Sequence, residues 1–162
     1  ADDLRELIAT FKISGVVERI GDYAKNIAKR VPIVTQTRRM APISLLPSMS
    51  KIASELVRDA LDAFARRDAD LAMEVNRRDQ IVDDFYNSIF RAVITHMVEN
   101  PKDIGEAAHL LFIAKNLERI GDHATNVAEM VYFAATGEPM PERTRGEDPA
   151  TPLDDALSDD AD

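Results

Sequence analysis

The sequence contains the stretch ERIGDYAKNIA at residues 18–28, and a closely similar stretch, ERIGDHATNVA, occupies residues 118–128. Apolar positions recur in any helical protein, but a Glu, an Arg, a Gly, an Asp and an Asn do not recur at one register by chance. The two stretches therefore indicate an internal duplication. The duplicated feature is a pair of carboxylates four residues apart with a glycine beside them.

The composition limits the classes of protein to which the chain can belong. Its 162 residues include no cysteine, which excludes disulfides, thiolate metal ligands and thiol nucleophiles. The net charge is −9, but residues 138–162 hold nine acids and two arginines, so the other residues carry only −2 (−9 + 7). No basic face is interleaved with aromatic residues, so we predict no nucleic-acid binding. No apolar run reaches the roughly 18 residues of a membrane span and no secretory segment opens the chain, so we expect a cytoplasmic protein without membrane insertion.

Four segments carry the apolar rhythm of 3.6 residues that is typical of amphipathic helices. We predict helices at about 3–30, 48–66, 69–99 and 101–136. Asp68 is expected to cap the third helix, Asn100-Pro101 to open the fourth, and Gly137 to end it. No segment has the pattern of a strand. The predicted fold class is therefore all-α, with short turns between antiparallel helices.

The duplication predicts two repeats of unequal length. Two predicted helices, over about 70 residues (118 − 48), precede Glu118, whereas only 17 residues precede Glu18. We therefore expect a truncated chain that lacks two helices, or roughly 50 residues (70 − 17), at its front. The predicted division is the last helix of a first repeat at 1–30, a linker at 31–47, a complete three-helix second repeat at 48–137 and an acidic disordered tail at 138–162.

Three acid pairs share one pattern, in which two acids and an asparagine follow one another at intervals of four residues. The pattern occurs as Glu18-x3-Asp22-x3-Asn26, Asp79-x3-Asp83-x3-Asn87 and Glu118-x3-Asp122-x3-Asn126. At about 100° per residue, the pairs of the third and fourth helices lie at the edge of the apolar arc, so adjacent antiparallel helices would bring four carboxylates to one half-buried seam. Such carboxylates must be protonated, paired with Arg or Lys, or bound to a cation. Oxygen ligands suit hard cations such as Mg²⁺, Mn²⁺ or iron.

Two further features bear on this seam. Gly21 and Gly121 recur beside the acids although each costs roughly 1 kcal/mol of helix stability relative to Ala, so we expect a close approach of a neighbouring helix or of a cluster there. A fourth acid pair, Glu55 and Asp59, falls on the back of its helix, away from the apolar arc, and is predicted to be solvent-exposed.

These residues resemble the PhoU family, the bacterial regulators of phosphate transport and of the phosphate-starvation response. The resemblance rests on the paired acidic signatures at 17–28 and 117–128, and residues 2–5, 109–115 and Asp79-x3-Asp83 also fit the family pattern. It covers about residues 1–141. It implies a fold of two similar three-helix bundles, with metal clusters held by the acidic motifs, iron or zinc in some members.

Carried over by residue, the resemblance implies one site in each repeat. The second-repeat site would consist of Asp79, Asp83, Glu118 and Asp122, with Asn87 and Asn126 adjoining. In the first repeat Glu18, Asp22 and Asn26 match the motif, but the helix equivalent to the one bearing Asp79 and Asp83 is missing. We expect that site to be completed only by dimerisation or helix exchange.

The resemblance also implies a function and partners. PhoU proteins are non-enzymatic and are thought to hold phosphate uptake and signalling down when phosphate is plentiful. The implied partners are the ATPase of a phosphate ABC transporter, a sensor histidine kinase and a second copy of the chain, with peripheral attachment to the inner membrane through them.

Two other functions stay open. A carboxylate-bridged metal oxidase of the ferritin-like type would require two Glu-x2-His motifs, and the chain has one, Glu106 and His109. A metal-free helical adaptor would use the acid pairs only in ion pairs.

Overall fold

The computed structural model describes residues 2–35 and 41–142, and within these ranges the chain is all-α, which confirms the predicted fold class. Four helices are present: α1 at Asp2–Thr35, α2 at Leu46–Arg66, α3 at Ala69–Glu99 and α4 at Ile104–Thr136. Short 3-10 turns at Ala41–Leu45 and Pro101–Asp103 precede α2 and α4. Residues 143–162, most of the predicted acidic tail, lie outside the described residues.

Helix α4 is the central element, because it packs against each of the other three helices. The apolar arc expected from its sequence is buried throughout: Leu110, Ile113, Leu117, Ile120, Ala124, Val127, Ala128 and Val131. Helices α2 and α3 close a three-helix bundle with α4. This bundle holds the largest fully buried side chains, among them Met49, Leu56 and Ile89.

Helix α1 packs antiparallel along the outer side of α4. The Arg30 guanidinium lies 3.4 Å from the ring centroid of Phe112, and the rings of Tyr23 and His123 meet edge-on with centroids 5.1 Å apart. Tyr23 and His123 occupy the same position in the two copies of the duplicated motif. The two motif copies therefore meet at their centres, related by an approximate two-fold axis.

Two helix caps agree with the prediction from the sequence, and two helix ends differ from it. Asp68 caps α3 by accepting a hydrogen bond from the Leu71 amide at 2.9 Å, and Gly137 ends α4 with a φ of 78°. Helix α1 continues past Arg30 through Pro32 to Thr35, because a proline one turn from the end removes a single backbone hydrogen bond.

The second difference is at the α3–α4 connection. Pro101 opens a 3-10 turn and not α4 itself, and Asn100 ends α3 through a hydrogen bond from its amide to the His96 carbonyl. The side chain of His96 in turn lies 3.1 Å from Asp103, the last residue of the turn. The Asp103 amide donates to the Asn100 carbonyl at 2.9 Å, the hydrogen bond of a 3-10 turn, and α4 begins at Ile104.

Candidate functional site

Three carboxylates of the duplicated pattern lie together where α3 crosses α4. Asp79, Asp83 and Asp122 each offer an oxygen atom within 4.8 Å of the others. Asp79 is only 2% exposed, and the other two are half-buried. Antiparallel packing explains the meeting, because Asp79 lies beside Gly121 and the ring of Tyr86 lies 4.9 Å from Lys115 Nζ. The predicted seam of half-buried acids is thus present for these three residues.

Gly121 makes the close approach of the two helices possible. A Cβ atom at this position would lie 2.6 Å from Asp79 Oδ1 and 3.4 Å from Val82 Cγ1. No side chain fits at that distance without a shift of its neighbours. The expected close approach is therefore found at Gly121. It is not found at Gly21, which is exposed and has no atom within 4 Å of a Cβ position.

Glu118, the fourth expected ligand, takes a different partner. Its Oε2 atom is buried and lies 2.6 Å from Lys115 Nζ, one turn earlier on α4. The contact is an ion pair within one helix. Glu118 thus borders the group of three carboxylates, and its charge is offset by a lysine.

The asparagines of the pattern lie one turn beyond the acids. Asn87 is half-buried on α3, whereas Asn126 is exposed on α4. In the first copy Asn26 is half-buried.

The first copy of the motif lies on α1, and in the part of the chain that the structure describes it belongs to no group of three potential metal ligands. Glu18 and Asp22 are exposed and, with Gly15, Arg19 and Tyr23, line an open cavity of about 480 Å³. The structure does not bring these two acids to the carboxylates of α3. The same sequence pattern therefore occupies two environments in one chain.

The prediction that Glu55 and Asp59 are solvent-exposed is wrong. Both are half-buried, and both are bound by Arg78 of α3, whose Nη1 lies 2.5 Å from Asp59 Oδ2 and whose Nη2 lies 3.0 Å from Glu55 Oε2. The apolar arc of α2 predicts which side faces the core, but it carries no information about a cation on another helix. Sequence reasoning missed Arg78 for this reason.

Glu106 and His109 are half-buried near the start of α4. Among the described residues, the groups of three or more potential ligands include neither of them. An oxidase would need both in a dinuclear centre, so the geometry gives this alternative no support.

Comparison with known proteins identifies the family. The model of the PhoU domain matches residues 1–31 and 46–131. The chain belongs to the PhoU family. The PhoU match includes both copies of the acidic motif and most of each of the four helices, so the resemblance predicted from 18–28 and 118–128 is confirmed.

Individual relatives agree with this assignment. The chain is 59% identical over 148 residues to a phosphate-specific transport system accessory protein PhoU homolog of Zymomonas mobilis, covering 91% of this chain and 62% of the relative. The homolog of Caulobacter vibrioides is 47% identical over 141 residues, covering 86% of this chain and 61% of the relative. The chain thus spans about 60% of the length of these PhoU relatives.

Solved PhoU structures have the same fold. The crystal structure of PhoU from Pseudomonas aeruginosa superposes with a TM-score of 0.80 at 37% identity, covering 85% of this chain and 66% of that one. The phosphate transport system regulatory protein PhoU from Streptococcus pneumoniae superposes with a TM-score of 0.80 at 27% identity, covering 88% and 67%. Among the residues described here, none of the helices combines the length and apolar character needed to cross a membrane.

Proposed function

We propose that the chain is a non-enzymatic negative regulator of high-affinity phosphate uptake and of phosphate-starvation signalling, and that it binds a metal ion through Asp79, Asp83 and Asp122. Membership of the PhoU family supports the regulatory part, since its relatives are accessory proteins of phosphate transport systems. The observation that carries the metal-binding part is the group of three carboxylate oxygens within 4.8 Å of one another.

The donor set fits a hard cation. Three carboxylates this close repel one another, and a cation between them would remove the repulsion that burial intensifies. Mg²⁺, Mn²⁺ and iron accept such all-oxygen ligand sets, whereas zinc, which the family resemblance also suggested, favours nitrogen and sulfur ligands. Glu118 and the amides of Asn87 and Asn126 would adjoin the ion. In the first copy Glu18, Asp22 and Asn26 would form a second site only with acids from outside α1.

The same proposal names the partners. The ATPase of a phosphate ABC transporter and a sensor histidine kinase would dock on the helical faces, and the chain would act in the cytoplasm, attached peripherally to the inner membrane through them. The family resemblance supports these assignments. The metal-free adaptor is the second candidate, favoured by the Lys115–Glu118 and Arg78–Asp59 ion pairs, which already neutralise acids without metal.

Metal binding predicts a gain in stability that depends on the acids of the cluster. At a free Mn²⁺, Mg²⁺ or Fe²⁺ concentration ten times the dissociation constant, the gain is about 1.4 kcal/mol. The double variant Asp83→Asn with Asp122→Asn is expected to lose this gain. It should be as stable as the metal-free wild type, or more so, because charge repulsion is removed. Thermal unfolding with each metal, and metal content by mass spectrometry, measure both effects.

Asp84→Asn provides the matched control, because Asp84 is exposed, adjoins Asp83 in sequence and accepts a hydrogen bond from Gln80 Nε2 at 3.0 Å. It should respond to metal as the wild type does. An equal response of the wild type and the double variant would refute the metal site and favour the adaptor. Unfolding of the double variant would instead identify the acids as structural partners.

Homodimerisation is proposed through the apolar face of α1. Leu4, Leu7, Ile8 and Phe11 are exposed on this face, Phe11 by 81%. A run of exposed apolar side chains on one helix favours association.

Phe11→Ser is expected to weaken self-association while changing the free energy of unfolding by less than about 0.5 kcal/mol, because its side chain lies outside the core. Sedimentation velocity over a range of concentrations measures the association. A monomeric wild type, or a dimer that Phe11→Ser leaves intact, contradicts association through this face.

A further inference from the structure

Lys115 lies at the edge of the group of three carboxylates, and its ammonium contacts residues of two helices. On α4 its Nζ atom lies 2.6 Å from Glu118 Oε2, an atom that is buried. Towards α3 it lies 4.9 Å from the centroid of the Tyr86 ring, whose π electrons attract a cation. The protein itself therefore supplies a positive charge at Glu118, which borders Asp83 and Asp122.

The two partners of this ion pair differ in their freedom to move. Glu118 precedes Asp122 by one turn of α4, so the two side chains share a face of the helix. The side chain of Glu118 is 16% exposed, compared with 41% for that of Lys115. The carboxylate is therefore held at the seam, whereas the long aliphatic stem of the lysine can turn its ammonium into solvent.

The duplication shows that this lysine is not part of the repeated pattern. Gly15 occupies the position equivalent to Lys115, three residues before Glu18. Glu18 is exposed, and both Gly15 and Glu18 line the open cavity of the first copy. The lysine is thus a feature of the second copy, in which the three carboxylates lie together.

An ion pair of this type can be displaced by a metal ion. A pair between residues three apart on one helix contributes little free energy when its cation is partly exposed. A divalent cation carries twice the charge of an ammonium and binds several carboxylates at once. Glu118 can therefore exchange its lysine for an ion bound at the neighbouring carboxylates.

We propose that Lys115 competes with the metal ion for Glu118. In the absence of metal the lysine holds this carboxylate, and it turns into solvent when Glu118 becomes a ligand of the ion. The inference rests on the proposed function, because it requires an ion at Asp79, Asp83 and Asp122. It assigns to Lys115 a role in setting the affinity, so that the site binds metal less tightly than its carboxylates alone would.

The effect on affinity is tested by Mn²⁺ titration of the full chain, with the free ion measured by electron paramagnetic resonance. Lys115→Met is expected to bind Mn²⁺ about tenfold more tightly than the wild type, because Glu118 no longer has to leave an ion pair. Lys102→Met is the matched control, since Lys102 is exposed in the turn before α4 and its removal changes the net charge equally. It should bind Mn²⁺ as the wild type does. Equal affinities of the wild type and Lys115→Met would overturn the proposal and leave the metal site standing.

The release of the ammonium is tested by limited acetylation with an N-hydroxysuccinimide ester, followed by peptide mass spectrometry. Saturating Mn²⁺ should raise the acetylation rate of Lys115 severalfold, because the ion pair no longer shields the amine, and should leave the rate at Lys102 unchanged. Glu118→Gln should give the higher rate at Lys115 with and without Mn²⁺. An unchanged rate at Lys115 in a wild type that binds Mn²⁺ would overturn this proposal alone. A wild type and a Lys115→Met variant that both fail to bind Mn²⁺ would overturn it together with the metal site.

Discussion

Gly121→Leu is expected to lower the free energy of unfolding by about 3 kcal/mol, the upper part of the range for overpacked cores. Any side chain here places a Cβ atom 2.6 Å from Asp79 Oδ1, and leucine adds three carbons towards Val82. Asp79 is 2% exposed, so its short side chain cannot swing into solvent to make room. Urea unfolding followed by circular dichroism measures the loss.

Gly21→Leu is the control that the duplication itself provides. Gly21 has the same neighbours in sequence, but it is exposed and has nothing within 4 Å of a Cβ position. Removing a glycine from an exposed helix interior should stabilise the chain by about 0.5 to 1 kcal/mol. Opposite signs at the two glycines would establish that packing, and not helix propensity, governs position 121. Equal effects would contradict the close approach of α3 and α4.

The fold follows from sequence wherever the determining interactions are local. The 3.6-residue rhythm of α4 places Leu110, Ala124 and Val131 on one side, and all three are buried. Asp68 and Gly137 end their helices by contacts within a few residues, which a sequence pattern contains. The predicted start of α4 at Pro101 is too early, since residues 101–103 form a 3-10 turn that the helical rhythm of the sequence does not distinguish from a first α-helical turn.

In the candidate site, too, the sequence predicts the position of the acidic side chains better than it predicts their partners. The position of Asp79, Asp83 and Asp122 at the edge of an apolar arc is a property of each helix alone, so their half-buried seam could be predicted. Whether an acid on that edge meets another acid or a cation depends on the neighbouring side chain. Glu118 pairs with Lys115, three residues earlier on the same helix, so this ion pair can be predicted from the sequence spacing alone.

The ion pairs of Arg78 could not be predicted from local spacing, because its partners Asp59 and Glu55 lie 19 and 23 residues away on α2. Its guanidinium binds Asp59 and Glu55 with separate nitrogens, and its side chain is 27% exposed. The two acids face the same side of α2 at an interval of four residues, where like charges repel. Arg78 therefore links α3 to α2 and reduces the repulsion between the carboxylates of Glu55 and Asp59.

We expect Arg78→Ala to lower the free energy of unfolding by about 2 kcal/mol, more than an exposed ion pair and less than a fully buried one. Its neighbour Arg77, paired with Glu74 at 2.8 Å on the surface, supplies the control, since Arg77→Ala should cost less than about 0.5 kcal/mol. Urea unfolding at low and high salt measures both, and only the Arg78 loss should persist at 1 M salt, because half-buried charges are screened less.

The cause of that loss can be isolated by removing the acids as well. In a chain carrying Glu55→Gln and Asp59→Asn, no carboxylates remain for Arg78 to neutralise, so the further change Arg78→Met should cost well under 1 kcal/mol. If Arg78→Met costs as much there as in the wild type, the aliphatic part of Arg78 stabilises the α2–α3 contact by packing, and the ion pairs contribute little. If Arg78→Met lowers the free energy of unfolding only slightly in the acid-free background but strongly in the wild type, the ion pairs with Glu55 and Asp59 stabilise the fold. The helical pattern of the sequence predicts that these two acids are solvent-exposed, so it does not predict this contribution.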